Sequence, residues 1–176
     1  RFYLRACAES RARRRWWLVL TGITSGADIW AMQTLLGLGY IEGEPHAHDP
    51  VLVIVSFLVA VAGGVGLLQY AHGRHGLGAA LVVGAGYGLL TSGVQVSNIA
   101  AVAAQGRAVW RVEMLAALVV WAVPVCALAS AILRNRTRAG APWQAVGVFV
   151  LCMAGMFLIG VKVAEFVPDP SVEIPL

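Results

Sequence analysis

Long apolar segments alternate with short polar segments along the whole chain. Each apolar segment has the ~20 residues that a helix needs to cross ~30 Å of hydrocarbon. The pattern predicts an all-α integral-membrane fold, in which one domain of residues 1–176 is a bundle of repeated transmembrane hairpins. Within the spans, small faces at Gly22/Gly26 and Gly84/Gly88 are expected where helices approach closely. The five predicted spans are 16–40, 51–71, 76–103, 112–133 and 142–167.

Composition agrees with a membrane protein. Of the 176 residues, 59% are hydrophobic and 12% are charged, whereas about 25% of the residues in a soluble domain are charged. The basic residues flank the predicted spans and do not form a groove lined with aromatic residues, so we expect no nucleic-acid partner. The lipid bilayer is the first partner that this composition implies.

A dipeptide pattern recurs at an interval of 62 residues. The pairs are Met32-Gln33, Val94-Gln95 and Met156-Phe157. A regular interval in a chain this apolar predicts copies of one hairpin, which would place the three pairs at one depth. The same shift places the first-repeat counterpart of the second span mostly before Arg1. We therefore expect residues 1–9 to be the end of a truncated preceding helix, and the native protein to be longer.

Positive charges are concentrated at one end of the predicted spans. Arg11, Arg13, Arg14 and Arg15 precede the first span, Arg74 follows the second, and Arg134, Arg136 and Arg138 follow the fourth. By the positive-inside rule, these ends are expected to be cytoplasmic. The three repeated pairs then lie in the outer half of the membrane.

The sequence around the repeated pairs resembles the MHYT domain, a bacterial integral-membrane sensory module made of repeated hairpins. The similar segments are GADIWAMQTLLGLGY, SGVQVSNIAAV and AGMFLIGVKVAEFVPDP, and the resemblance covers nearly the whole chain. It implies a multi-pass protein of the bacterial cytoplasmic (inner) membrane with its motifs toward the outer face. It also implies that Met and His residues of each motif bind copper and sense oxygen, carbon monoxide or nitric oxide.

The residues that would bind copper are largely replaced in this chain. The three motif His positions hold Gln33, Gln95 and Phe157, and the leading Met positions hold Met32, Val94 and Met156. Thioether and imidazole ligands suit copper, whereas a carboxamide oxygen is a hard, neutral donor. We therefore predict a degenerate member that keeps the fold but binds neither copper nor another cofactor.

Gln33 and Gln95 have two possible roles. They are expected either to bond each other, Ser97 or Asn98 across a helix interface, or to line a small polar cavity that binds a ligand or passes a polar species. A polar contact of the first kind contributes ~0.6–2 kcal/mol in a membrane.

Asp28 is the polar residue with the highest expected cost, because it lies ~18 Å from either end of the first span. A carboxylate at that depth costs ~2.5–3.5 kcal/mol or more unless it is paired or protonated. Asp28 is expected to be either a proton site or a protonated carboxyl bonded to Thr91 or Ser92.

No catalytic constellation is present. The chain has no nucleophile elbow, phosphate loop or His-Glu-x-x-His motif, so we do not expect an enzyme. His46 and His48 lie beside carboxylates in the outer loop and are weak candidates for a divalent-metal site, although a solvated loop is the commoner arrangement.

These features favour a sensory or regulatory membrane module whose output domain lies outside this chain. The alternative is a non-catalytic accessory subunit that packs against a larger respiratory or transport complex. A weaker third hypothesis is a channel or carrier that uses Gln33, Gln95 and Asp28.

Overall fold

The computed structural model describes residues 11–38, 46–74, 76–104, 106–134 and 140–168. The described chain contains five long helices joined by short connections. They are α1 (Arg11–Leu38), α2 (Pro50–Ala71), α3 (Leu77–Ala101), α4 (Val112–Arg134) and α5 (Ala141–Gly160). Four short strands are β1 (His46–His48), β2 (Val102–Ala104), β3 (Gly106–Trp110) and β4 (Ala164–Pro168). The helix end predicted for residues 1–9 lies outside the described residues.

Among the described helices, α2, α3, α4 and α5 are long and apolar enough to cross a membrane. The helix α1 has 28 residues and is therefore ~42 Å long, which also exceeds the hydrocarbon thickness. It is less apolar than the others because Thr21, Thr24, Ser25, Asp28 and Gln33 interrupt its middle. Four of the five predicted spans thus correspond to helices with the length and composition of a transmembrane segment.

The described residues are mainly helical, as predicted, but four short strands lie outside the helices and shorten two of the predicted spans. β1 pairs with β2, and β3 pairs with β4, both antiparallel. The predicted third span, 76–103, therefore ends as a helix at Ala101, and the predicted fifth span, 142–167, ends as a helix at Gly160. Hydropathy did not reveal this change because a short apolar run is compatible with either a helix or a strand. Pairing with a distant strand satisfies the backbone hydrogen bonds that the helix would otherwise supply.

The two β pairs are related by the 62-residue interval of the sequence. His48 lies opposite Val102 in the first pair, and Trp110 lies opposite Ala164 in the second. The backbone hydrogen bonds beside them follow the same shift. Asp49 N donates to Ala101 O at 2.8 Å, and Arg111 N donates to Val163 O at 2.9 Å. The two β pairs and the hydrogen bonds beside them thus have the same arrangement, displaced by 62 residues along the chain.

The helix α3 is central, because it contacts each of the other four described helices. One apolar cluster joins α1, α2 and α3 through Ile29, Ala60 and Val94. A second cluster fills the α4–α5 side of the bundle, where the free thiols of two cysteines approach to 3.6 Å between Sγ atoms. Its buried members are Leu118, Ala122, Cys126, Cys152, Met153 and Met156.

Candidate functional site

The repeated pairs lie on α1, α3 and α5 but differ in burial. The side chains of Gln33, Gln95, Val94 and Met156 are all at least 95% buried. Phe157 is partly buried, whereas 40% of the surface of Met32 is exposed. The equivalent sequence positions therefore do not have equivalent surroundings.

The two glutamines do not bond each other. Gln33 Nε2 donates to Met153 Sδ of α5 at 4.0 Å, and thioether sulfur is a weak acceptor. A carboxamide pair would need the Oε1 of one glutamine to accept from the other, and among the described residues neither Oε1 has a hydrogen-bond partner. The predicted glutamine pair is therefore wrong. The helices instead bring each carboxamide against α5.

Gly160 makes room for the second carboxamide. A Cβ at Gly160 would lie 2.5 Å from Gln95 Nε2, which is closer than real Cβ contacts. The absence of a side chain at this end of α5 therefore allows Gln95 to be buried.

One polar contact between α1 and α3 joins Asn98, a partner that the sequence analysis considered for the glutamines, to Thr34, which it did not single out. Asn98 Nδ2 donates to Thr34 Oγ1 at 3.2 Å, and Thr34 Oγ1 donates to Trp30 O at 2.8 Å. Thr34 directly follows Gln33 in the chain, but a threonine in a helix most often bonds its own backbone. Its contact with Asn98 therefore has no local sequence signal.

The motif positions do not fit a copper site. Met156 is fully buried in the α4–α5 cluster, whereas Met32 is 40% exposed and lines a cavity. The other motif positions hold two neutral carboxamides, a phenyl ring and Val94, and none of these is a soft donor. The replaced motif residues thus lack the donor type that copper prefers.

A cavity of about 510 Å³ lies between α1, α3, α4 and α5. Asp28 is the only charged residue among the described residues that line it. Ser25 Oγ, also in its wall, donates to Tyr87 OH of α3 at 3.2 Å. The polar residues of the lining are Thr21, Thr24, Ser25, Asp28, Tyr87 and Ser130.

Among the hydrogen bonds of the described residues, none joins Asp28 to Thr91 or Ser92, and its predicted role stays a prediction. Thr91 donates to the carbonyl oxygens of Tyr87 and Gly88, and Ser92 donates to that of Gly88 at 2.9 Å. Both hydroxyl donors are thus used within α3. The carboxyl of Asp28 is exposed toward the cavity and does not close the α1–α3 interface.

The backbone of His46 and His48 lies in β1, but their side chains lie outside the described part of the structure. Among the described residues, no group of three or more His, Cys, Asp and Glu side chains is arranged to hold a metal ion. The weak metal prediction for this loop therefore stays a prediction.

The chain is similar to a signalling protein of Caulobacter vibrioides. It is 26% identical over 180 residues to a protein described as an "uncharacterized signaling protein", and the match covers 99% of this chain. The chain spans 22% of the length of that relative. No protein-family profile matches the chain. No solved structure matches it either.

Proposed function

We propose that this chain is a membrane-embedded sensory or regulatory module of a longer signalling protein. The main support is the match to the Caulobacter vibrioides protein. Almost the whole chain corresponds to about a fifth of that protein, which is described as a signalling protein. A segment of that size leaves most of such a protein for output domains. The relative's name says nothing of what it senses, so the signal is argued separately below.

We infer that α1 crosses the membrane together with the other four long helices. It packs along α2 through Gly22 and Gly26, at backbone distance, and it shares an apolar cluster with α2 and α3. A helix held so closely against two apolar helices follows them through the bilayer. By the positive-inside rule, the ends near Arg15, Arg74 and Arg134 are cytoplasmic and the β pairs face outward, in a bacterial inner membrane.

The proposed module resembles an MHYT domain that has lost its metal ligands. The 62-residue interval of that resemblance is matched by the registers of the two β pairs. Copper is not part of the proposal, because Gln33 and Gln95 offer hard, neutral oxygens where imidazole would be needed.

The proposed function is tested in the cell that makes the full-length protein. Gln33→Leu with Gln95→Leu removes two buried carboxamides while keeping similar volume, so we expect altered signalling output with unchanged abundance in the membrane. The readouts are the cyclic-dinucleotide content and the pattern of protein phosphorylation. The matched control is Gln69→Leu, at an exposed position near the end of α2.

Two results would contradict the proposed function. Unchanged output, together with recovery of the chain as a stoichiometric part of a respiratory or transport complex, would assign the accessory-subunit role. Equimolar copper that is lost in the Met32→Leu and Met156→Leu variants would contradict the loss of the metal. Elemental analysis of the purified proteins measures their copper content.

A further inference from the structure

We propose that the cavity between α1, α3, α4 and α5 binds a small organic cation, in which an apolar body carries one protonated amine or quaternary ammonium group. The positive group pairs with Asp28, and the apolar body lies against the α4–α5 wall. This inference deepens the proposed sensory function by naming the chemical class of the ligand, and it rests on that function for the meaning of binding.

Charge is the first reason for this choice of ligand. Asp28 lies in the middle of a helix that packs among membrane-spanning helices, where an unpaired carboxylate is costly. Among the described residues that line the cavity, none carries a positive charge. The hydroxyls predicted as its partners, those of Thr91 and Ser92, donate to carbonyls of their own helix. A cationic ligand supplies the counter-charge that the described protein does not.

The walls of the cavity match the rest of such a ligand. Its volume of about 510 Å³ lies within the ~300–1,000 Å³ of ordinary small-molecule sites. Leu133, Val146 and Phe149 of the α4–α5 wall supply apolar surface, and the lining includes aromatic rings, at Phe149 and Tyr87, of the kind that attracts cations. The Ser25–Tyr87 hydrogen bond adds a fixed polar group on the α3 side.

The residues equivalent to Asp28 in the other two repeats show whether helix packing requires an acid at this position. The counterpart of Asp28 on α3 is Leu90, whose side chain packs against Gly63 of α2. The counterpart on α5 is Cys152, which is fully buried in the α4–α5 cluster. Neither position uses an acid to hold the helices together. The carboxyl of Asp28 is therefore not a requirement of the repeated packing.

The test measures binding of radiolabelled benzyltrimethylammonium to the purified chain in phosphatidylcholine nanodiscs. We expect saturable binding with one site per chain. Asp28→Asn should weaken it at least about tenfold, or ~1.4 kcal/mol, because the variant loses the Coulomb attraction between the carboxylate and the ammonium charge, which is strong away from bulk water. The control Glu113→Gln changes an exposed acid at the start of α4 and should leave the affinity unchanged.

A second variant keeps the test decisive if Asp28→Asn does not fold. Ser130→Phe fills the cavity from the α4 wall, leaves the carboxyl in place and should abolish binding. Absence of saturable binding to the unaltered chain would overturn the inference, and so would full affinity in either folded variant.

Nanodiscs of phosphatidylethanolamine distinguish the source of the amine. Competition by that lipid assigns the site to an amine headgroup, whereas unchanged binding assigns it to a free amine, and both outcomes support the same ligand chemistry. The assay does not measure signalling output. Failure of binding would therefore leave the outcome of the Gln33 and Gln95 experiment intact.

Discussion

The hairpins α1–α2 and α3–α4 are packed alike at the backbone but differ in what lies between their helices. A Cβ at Gly22 would lie 2.5 Å from Val65 Cα, and a Cβ at Gly84 would lie 2.5 Å from Ala127 Cα. Both pairs are related by the same shift of 62 residues. The contact surfaces of the two hairpins thus depend on glycine at matching positions.

The side chains between the helices vary where the backbones do not. In the first hairpin, Trp30 Nε1 donates to Ser56 Oγ at 3.0 Å, so a large residue on α1 meets a small one on α2. At the matching positions of the second hairpin, the small residue is Ser92 on α3 and the large one is Leu118 on α4, and both are buried. Glycine contacts set the helix spacing, and side-chain sizes adapt to it.

The largest expected loss of stability comes from the residue between the helices of the second hairpin, and it should differ from the loss at the matching residue of the first. Leu118→Ala removes a fully buried side chain and should lower the free energy of unfolding by about 2–5 kcal/mol. Ser56→Ala should cost only about 1 kcal/mol, for a lost hydrogen bond from Trp30. Unfolding in mixed micelles measures both, with the exposed Val120→Ala as control. Equal losses at Leu118 and Ser56 would mean that the two interiors are not organised differently.

Substitution of the contact glycines tests whether both hairpins depend on close approach of their helix backbones. Gly26→Ala and Gly88→Ala each place a Cβ against the backbone of the facing helix, so each should destabilise the fold by about 1–3 kcal/mol. Gly66→Ala and Gly93→Ala are the controls, because a Cβ there meets nothing within 4 Å. These controls should be neutral or slightly stabilising, since alanine is the better helix former. A large loss at only one of the two contact glycines would break the equivalence of the hairpins.

The smallest expected effect concerns the helix starts beside the β pairs. Asp49 caps α2, with Oδ1 accepting from Val51 N at 2.8 Å and from Leu52 N at 3.4 Å. Asp49→Ala should therefore cost about 1 kcal/mol of unfolding free energy. Glu113→Ala, in the first turn of α4, should cost less, about 0.3–1 kcal/mol, because it loses only the interaction with the helix dipole. The reverse order would indicate that the Asp49 cap is not important for the stability of α2.

The sequence predicted the helices better than their ends. Four of the predicted spans overlap apolar helices of sufficient length, because hydropathy averaged over ~20 residues is a local property. The ends of α3 and α5 were wrong because residues near Val102 and Ala164 pair with strands that are distant in the chain. Such pairing depends on which loops meet, and no local pattern contains that information.

At the candidate site, too, the sequence predicted the chemistry of the residues but not their contacts. From the residues alone, the replacement of imidazole by carboxamide at Gln33 and Gln95 was evident, and the high cost of Asp28 followed from its depth. The tertiary structure decided that Gln33 contacts Met153 and not Gln95, and that Asp28 lines a cavity. The reason is physical: residue chemistry and apolar length are determined along the chain, whereas hydrogen-bond partners and cavities depend on how separate helices pack.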